Sequence, residues 1–131
     1  RFMIRVLLWI FVLINVGLGI GCMIDPLGML EPLGVKALDN RGVVELRAMY
    51  GGLEFGFGLF LGWCALEKTR ARVGLTAATL EIGGLGFARV AAYVVLMPDG
   101  WLTPFLCVAE VSGAVVGAAT LWWTRADVSE N

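Results

Sequence analysis

Histidine is absent from this chain of 131 residues. Its absence removes Ser-His and Cys-His catalytic arrangements and histidine-based metal sites. Charge is also scarce: 16% of residues are charged, against about 25% in an average soluble domain. The net charge of −1 leaves no basic surface for nucleic acid. Cysteine is limited to Cys22, Cys64 and Cys107, far apart and in apolar surroundings. An odd count without C-x-x-C spacing argues against a disulfide framework and against a zinc site. The three read as small buried hydrophobes. No metal-ligand spacing, nucleotide-binding loop or nucleophile motif occurs, so the sequence names no cofactor.

What is present is apolar. Hydrophobic residues make up 59% of the chain, which places it in the membrane class as a single domain over residues 1–131. Four runs match the roughly 20 residues needed to cross about 30 Å of hydrocarbon. They are predicted at about 6–24, 43–66, 73–97 and 101–123. All are expected to be helices, because backbone polar groups in lipid must be satisfied internally. Gly21-Cys22 faintly resembles a lipoprotein cleavage site. The apolar run before it exceeds a typical signal-peptide core, and Gly19 stands where such a site wants a bulky aliphatic residue, so the segment is read as a transmembrane helix.

Positive charge sets the orientation. Arg1, Arg5, Lys68, Arg70, Arg72 and Arg125 fall on one side, and Lys36 and Arg41 on the other. Six against two predicts an antiparallel up-down four-helix bundle with both termini cytoplasmic. Trp9, Trp63, Trp122 and Trp123 then lie at the inner interface and Trp101 at the outer one. The loop between the first two spans carries an echo, Asp25-Pro26-Leu27-Gly28 and Glu31-Pro32-Leu33-Gly34. It reads equally well as an interfacial cap over the bundle or as two proline turns. G-x-x-x-G spacings at Gly17/Gly21, Gly52/Gly56, Gly58/Gly62 and Gly113/Gly117 suggest close helix packing within the bundle, with dimerisation second.

Five charges interrupt the apolar runs: Arg47, Glu54, Glu81, Arg89 and Glu110. A charge near the bilayer centre costs at least about 2.5–3.5 kcal/mol, so these positions are where function is sought. Arg47, Tyr50, Gly51, Glu54 and Gly58 share a helical stripe, as do Glu110, Gly113, Ala114 and Gly117. Glu81 shares a face with Ala88, with Arg89 on the adjoining side. Counting from the turn at Asp99-Gly100 places Arg89 and Glu110 level, each roughly 16 Å away at 1.5 Å per residue. An Arg89–Glu110 ion pair follows, which Glu54 is placed to join. Four glutamates, with Glu45 near the interface, face two arginines. The excess carboxylate is a candidate for carrying a proton, acting as an acid or binding a cation. The competing expectation is a static polar network that fixes helix register.

The run Glu45-Leu46-Arg47-Ala48-Met49-Tyr50-Gly51-Gly52-Leu53, followed by Gly56-Phe57-Gly58-Leu59-Phe60-Leu61, resembles a family of small bacterial four-span membrane proteins catalogued as a domain of unknown function. Gly84-Leu85-Gly86 before Arg89, the Asp99-Gly100 turn and Glu110 add to the resemblance, which covers most of the chain. The family pattern often carries Asn before the glutamate, where this chain has Val44. The resemblance implies the four-span fold and a bacterial inner-membrane location. It points to Glu45, Arg47 and Tyr50, and supplies no activity.

Three functions remain open at this stage. The first is a non-enzymatic protein that binds a small amphiphilic or apolar ligand, or joins a larger membrane complex. Its anchors would be Glu54, Arg89 and Glu110, walled by Tyr50 and Trp101. The second is a proton-coupled transporter or channel working as a homo-oligomer. The third is a membrane enzyme using Glu54, Glu81 or Glu110 for acid–base chemistry on a lipid-like substrate.

Overall fold

The computed structural model describes residues 2–124; Arg1 and Arg125, used above to orient the chain, lie outside them. The regular structure of the described residues is helical: α1 (Phe2–Ile24), α2 (Pro26–Leu30), a 3-10 turn (Glu31–Leu33), α3 (Asn40–Leu46), a π-helix (Arg47–Leu53), α4 (Glu54–Leu66), α5 (Lys68–Leu96) and α6 (Leu102–Trp123). Four helices are long and apolar enough to cross a membrane: Phe2–Ile24, the continuous Asn40–Leu66, Lys68–Leu96 and Leu102–Trp123. The first three begin three to five residues before the predicted spans, because helix runs on through polar residues that hydropathy excludes. Lys, Arg and Ala at 68–72 are good helix formers, and Asp39 caps α3 by accepting from the amides of Arg41 at 2.9 Å and Gly42 at 3.3 Å.

The proline echo resolves into two short helical turns. Pro26 stops α1, since the residue before proline avoids helical geometry, and then occupies the first turn of α2, where its missing N–H is not needed. Asp25 caps this turn through the amide of Gly28 at 2.9 Å. Pro32 starts the 3-10 turn in the same way, and Gly34, at φ 76°, ends it.

The described residues fall into two compact units. In the first, residues 2–8 and 64–124, α5 and α6 touch in opposite sequence order. Arg72 bonds to Leu121 and Thr124, Thr79 lies on Gly117, Ile82 on Gly113, and Gly86 on Glu110. The predicted Gly113/Gly117 spacing thus serves packing inside one chain, letting two backbones approach. Leu8, Cys64 and Gly74 meet, and Leu8, Cys64, Leu75 and Ala78 are fully buried.

In the second unit, residues 9–63, α1 packs on the π-helix and α4 through Gly19, Gly51 and Gly58, of which only Gly58 belongs to a G-x-x-x-G spacing. Gly19 lies against the backbone of Gly51 and Phe55, where an added Cβ would stand 2.5 Å from the Phe55 nitrogen. Gly51 meets Met23, and Gly58 meets Val16 and Asn15. Gly17 and Gly56 face open space.

Candidate functional site

Arg89 and Glu110 form the contact that counting from the Asp99-Gly100 turn anticipates. Arg89 Nε donates to Glu110 Oε1 at 3.0 Å and to Oε2 at 2.8 Å. Glu110 is 7% exposed. Gly86, one turn before Arg89, brings the α5 backbone against Glu110 Cβ, so the salt bridge forms where the two helices approach closely. A partly buried pair of this kind is costly to break from one side, because the remaining charge keeps its desolvation penalty. Glu81 sits two turns earlier on α5 and is partly buried.

Glu45, Arg47, Tyr50 and Glu54 belong to the second unit. The expected inward stripe fails at its outer end: Gly51 and Gly58 are buried and Glu54 is half-buried, but Arg47 and Tyr50 are exposed. The cause is local. Residues Arg47–Leu53 form a π-helix, whose i→i+5 bonding puts more residues in each turn and rotates side chains off an α-helical stripe. Arg47 Nη2 donates to the carbonyl of Ile24 at 3.4 Å, serving the C-terminal end of α1. Glu45 is exposed. Trp101, placed by the sequence as a cavity wall, is 74% exposed and meets Phe105 edge-on at 6.0 Å. The three cysteines are free and buried.

Two groups escaped the sequence search. Asn15 is 5% exposed. Its Nδ2 donates to the Phe11 carbonyl at 3.0 Å, while its buried Oδ1 has no hydrogen-bond partner among the described residues. A search for formal charge passes over an amide. The second group is a seam between α5 and α6. Arg72, Thr76, Thr79, Gly83, Phe87 and Val90 recur at the 3.6-residue period on α5. Two open grooves line up along it, with Leu80, Phe87 and Trp122 exposed at their walls. One of about 290 Å³ lies between Thr76, Thr79 and Leu80 on α5 and Ala118, Leu121 and Trp122 on α6. The next, of about 360 Å³, lies between Gly83, Phe87 and Val90 on α5 and Val111, Ala114 and Ala118 on α6. They share Ala118. Thr76 and Thr79 donate their hydroxyls to the carbonyls of Arg72 and Leu75, at 2.9 and 2.7 Å, the back-bonding common in apolar helices. Their hydroxyls are thereby satisfied within their own helix, and the seam is apolar.

These features define an all-helical protein whose four long apolar helices suit a multi-pass membrane protein. Residues 3–124 match the family described as Domain of unknown function (DUF4345), and the chain belongs to that family. No match was found among curated proteins or among solved structures.

Proposed function

We propose that the chain is a four-span protein of a bacterial inner membrane, an antiparallel up-down bundle with both termini cytoplasmic, that binds an amphiphilic ligand along the α5–α6 seam. The observation that carries this reading is the seam itself: two open apolar grooves sharing Ala118, along helices that are otherwise in close glycine contact. Their volumes, about 290 and 360 Å³, lie just below and just above the roughly 300 Å³ at which small-molecule sites begin. From Arg72 to Val90 the stripe extends about 27 Å at 1.5 Å per residue, a length suited to an alkyl chain. In this reading the Arg89–Glu110 pair holds α5 and α6 at the spacing the seam requires and does not itself contact the ligand.

The test is retention of a neutral amphiphile. The detergent-purified full chain, given monoolein and examined by native mass spectrometry, should hold one molecule per chain. Ala118→Phe, which fills the point the two grooves share, should abolish retention. Equal retention by the variant, or none by the parent, overturns the reading.

A second reading, proton-coupled transport, has one observation in its favour. Glu54 heads α4 half-buried in the same unit that buries Asn15 Oδ1 unpartnered. Glu54→Gln should then abolish pH-dependent flux in liposomes, and unchanged flux removes it.

A further inference from the structure

A cavity of about 320 Å³ lies in the first unit at the start of α5. Arg5, Lys68, Thr69, Arg72 and Thr124 line it together with Ile4 and Ala71. Three cations and two hydroxyl side chains therefore face one space, with no carboxylate among its lining residues. Arg5 Nε donates to the Ala65 carbonyl at 3.1 Å, which leaves its two terminal nitrogens for another acceptor. Arg72 is held by Thr124 Oγ1 at 3.1 Å and the Leu121 carbonyl at 2.7 Å, so its guanidinium is fixed in place before any ligand arrives.

The backbone adds to this. α5 opens Lys68-Thr69-Arg70, with no acidic residue in its first turn and no side chain capping its amides. A helix N-terminus favours negative charge, and here Glu67 at the cap position is the one carboxylate, with Lys68, Arg70 and Arg72 following it. Glu67 just ahead is paired with Arg70. The amides of Arg70 and Ala71 are taken by the Glu67 carbonyl, so an anion in the cavity would accept from the side chains and from the amides of Lys68 and Thr69 ahead of them.

We infer that this cavity binds the phosphate of an anionic phospholipid headgroup, whose chain follows the stripe from Arg72 through Thr76 into the α5–α6 seam. The assignment to a lipid rests on the amphiphile reading above. It also rests on the setting: Trp122 and Trp123, which immediately precede the lining residue Thr124 in sequence, are exposed, and tryptophan is enriched at headgroup boundaries.

The experiment uses the detergent-solubilised full chain with phosphatidylglycerol, with phosphatidylcholine of the same chains, and with inorganic phosphate as competitor. Phosphatidylglycerol should bind more tightly than phosphatidylcholine, and more weakly as salt rises. Arg5→Gln/Lys68→Gln should weaken it by about tenfold or more, as expected for losing charge-assisted hydrogen bonds. Lys68→Gln alone removes no side-chain hydrogen bond or ion pair among the described residues and should give a smaller loss in the same direction. Inorganic phosphate should compete only at far higher concentration.

Equal binding of the two lipids, or no effect of the double variant, overturns the headgroup site. The amphiphile reading survives that result if Ala118→Phe abolishes binding of both. Inorganic phosphate binding as tightly as phosphatidylglycerol overturns the lipid assignment. If neither lipid binds, both proposals fall together.

Discussion

Arg89 offers a single Nε–H to both carboxylate oxygens of Glu110, at 3.0 and 2.8 Å, in a contact whose neighbouring position on α5 is glycine. The pair and the glycine work together: Gly86 sets the approach and the salt bridge sets the register. Removing one charge leaves the other desolvated, at a cost of about 3–5 kcal/mol. Arg89→Met or Glu110→Met should therefore lower the thermal midpoint in detergent sharply. The double variant should recover most of the loss. A double variant no better than either single one would refute this account.

The glycine contacts in the second unit predict an ordered series. Gly19→Ala places a methyl group on the Phe55 backbone, and Gly58→Ala places one on the Val16 backbone. Backbone cannot swing aside as a side chain can, so both should destabilise, by about 1–3 kcal/mol as overpacking typically does. Gly17→Ala meets open space and should be neutral or slightly stabilising, because alanine is the better helix former. Thermal unfolding of the three variants side by side checks the order.

Asp39 ties the start of α3 to pH. The Arg41 guanidinium, and then the Gly42 amide, hold its carboxyl below the usual aspartate value. Its folded-state value is thus lower than its unfolded one. The cap contributes fully above the unfolded value and is lost as pH falls through the folded one. The amide signals of Arg41 and Gly42 should shift with a midpoint below the ordinary aspartate range. Asp39→Ala should remove that titration. A midpoint at the ordinary value would count against the cap.

The proposed orientation can be read by labelling. Leu38 is fully exposed in the loop before α3, and the native cysteines are buried. In intact cells whose outer membrane is permeabilised, Leu38→Cys should react with an impermeant thiol reagent. Thr69→Cys, at the start of α5, should react only after lysis. The reverse pattern would invert the topology.

Much of this architecture was legible because charge is rare in the chain. Arg89 and Glu110 could be paired by counting, since α5 and α6 are plain α-helices joined by a short turn and residues per ångström is constant along them. The same counting failed at Arg47 and Tyr50, where the helix changes pitch, and pitch leaves no mark in hydropathy. Asn15 was passed over because a neutral amide stands out only once its burial is known. Arg5, Lys68 and Arg72 were in plain view. They served as topology markers, and only the return of α6 to the start of α5 shows that Arg72 and Thr124 share a cavity with Arg5.

The π-helix at Arg47–Leu53 has a consequence for how this chain tolerates changes in length. Inside an ordinary helix, deleting a residue rotates everything beyond it by about 100° and scrambles the packing. A widened turn already holds surplus backbone, so it can absorb a deletion by tightening to α geometry. Loss of an exposed residue such as Met49 is then a change of winding confined to one segment, with Gly58 still able to meet Val16. Residues Arg47–Leu53 are thus the stretch where the chain keeps slack.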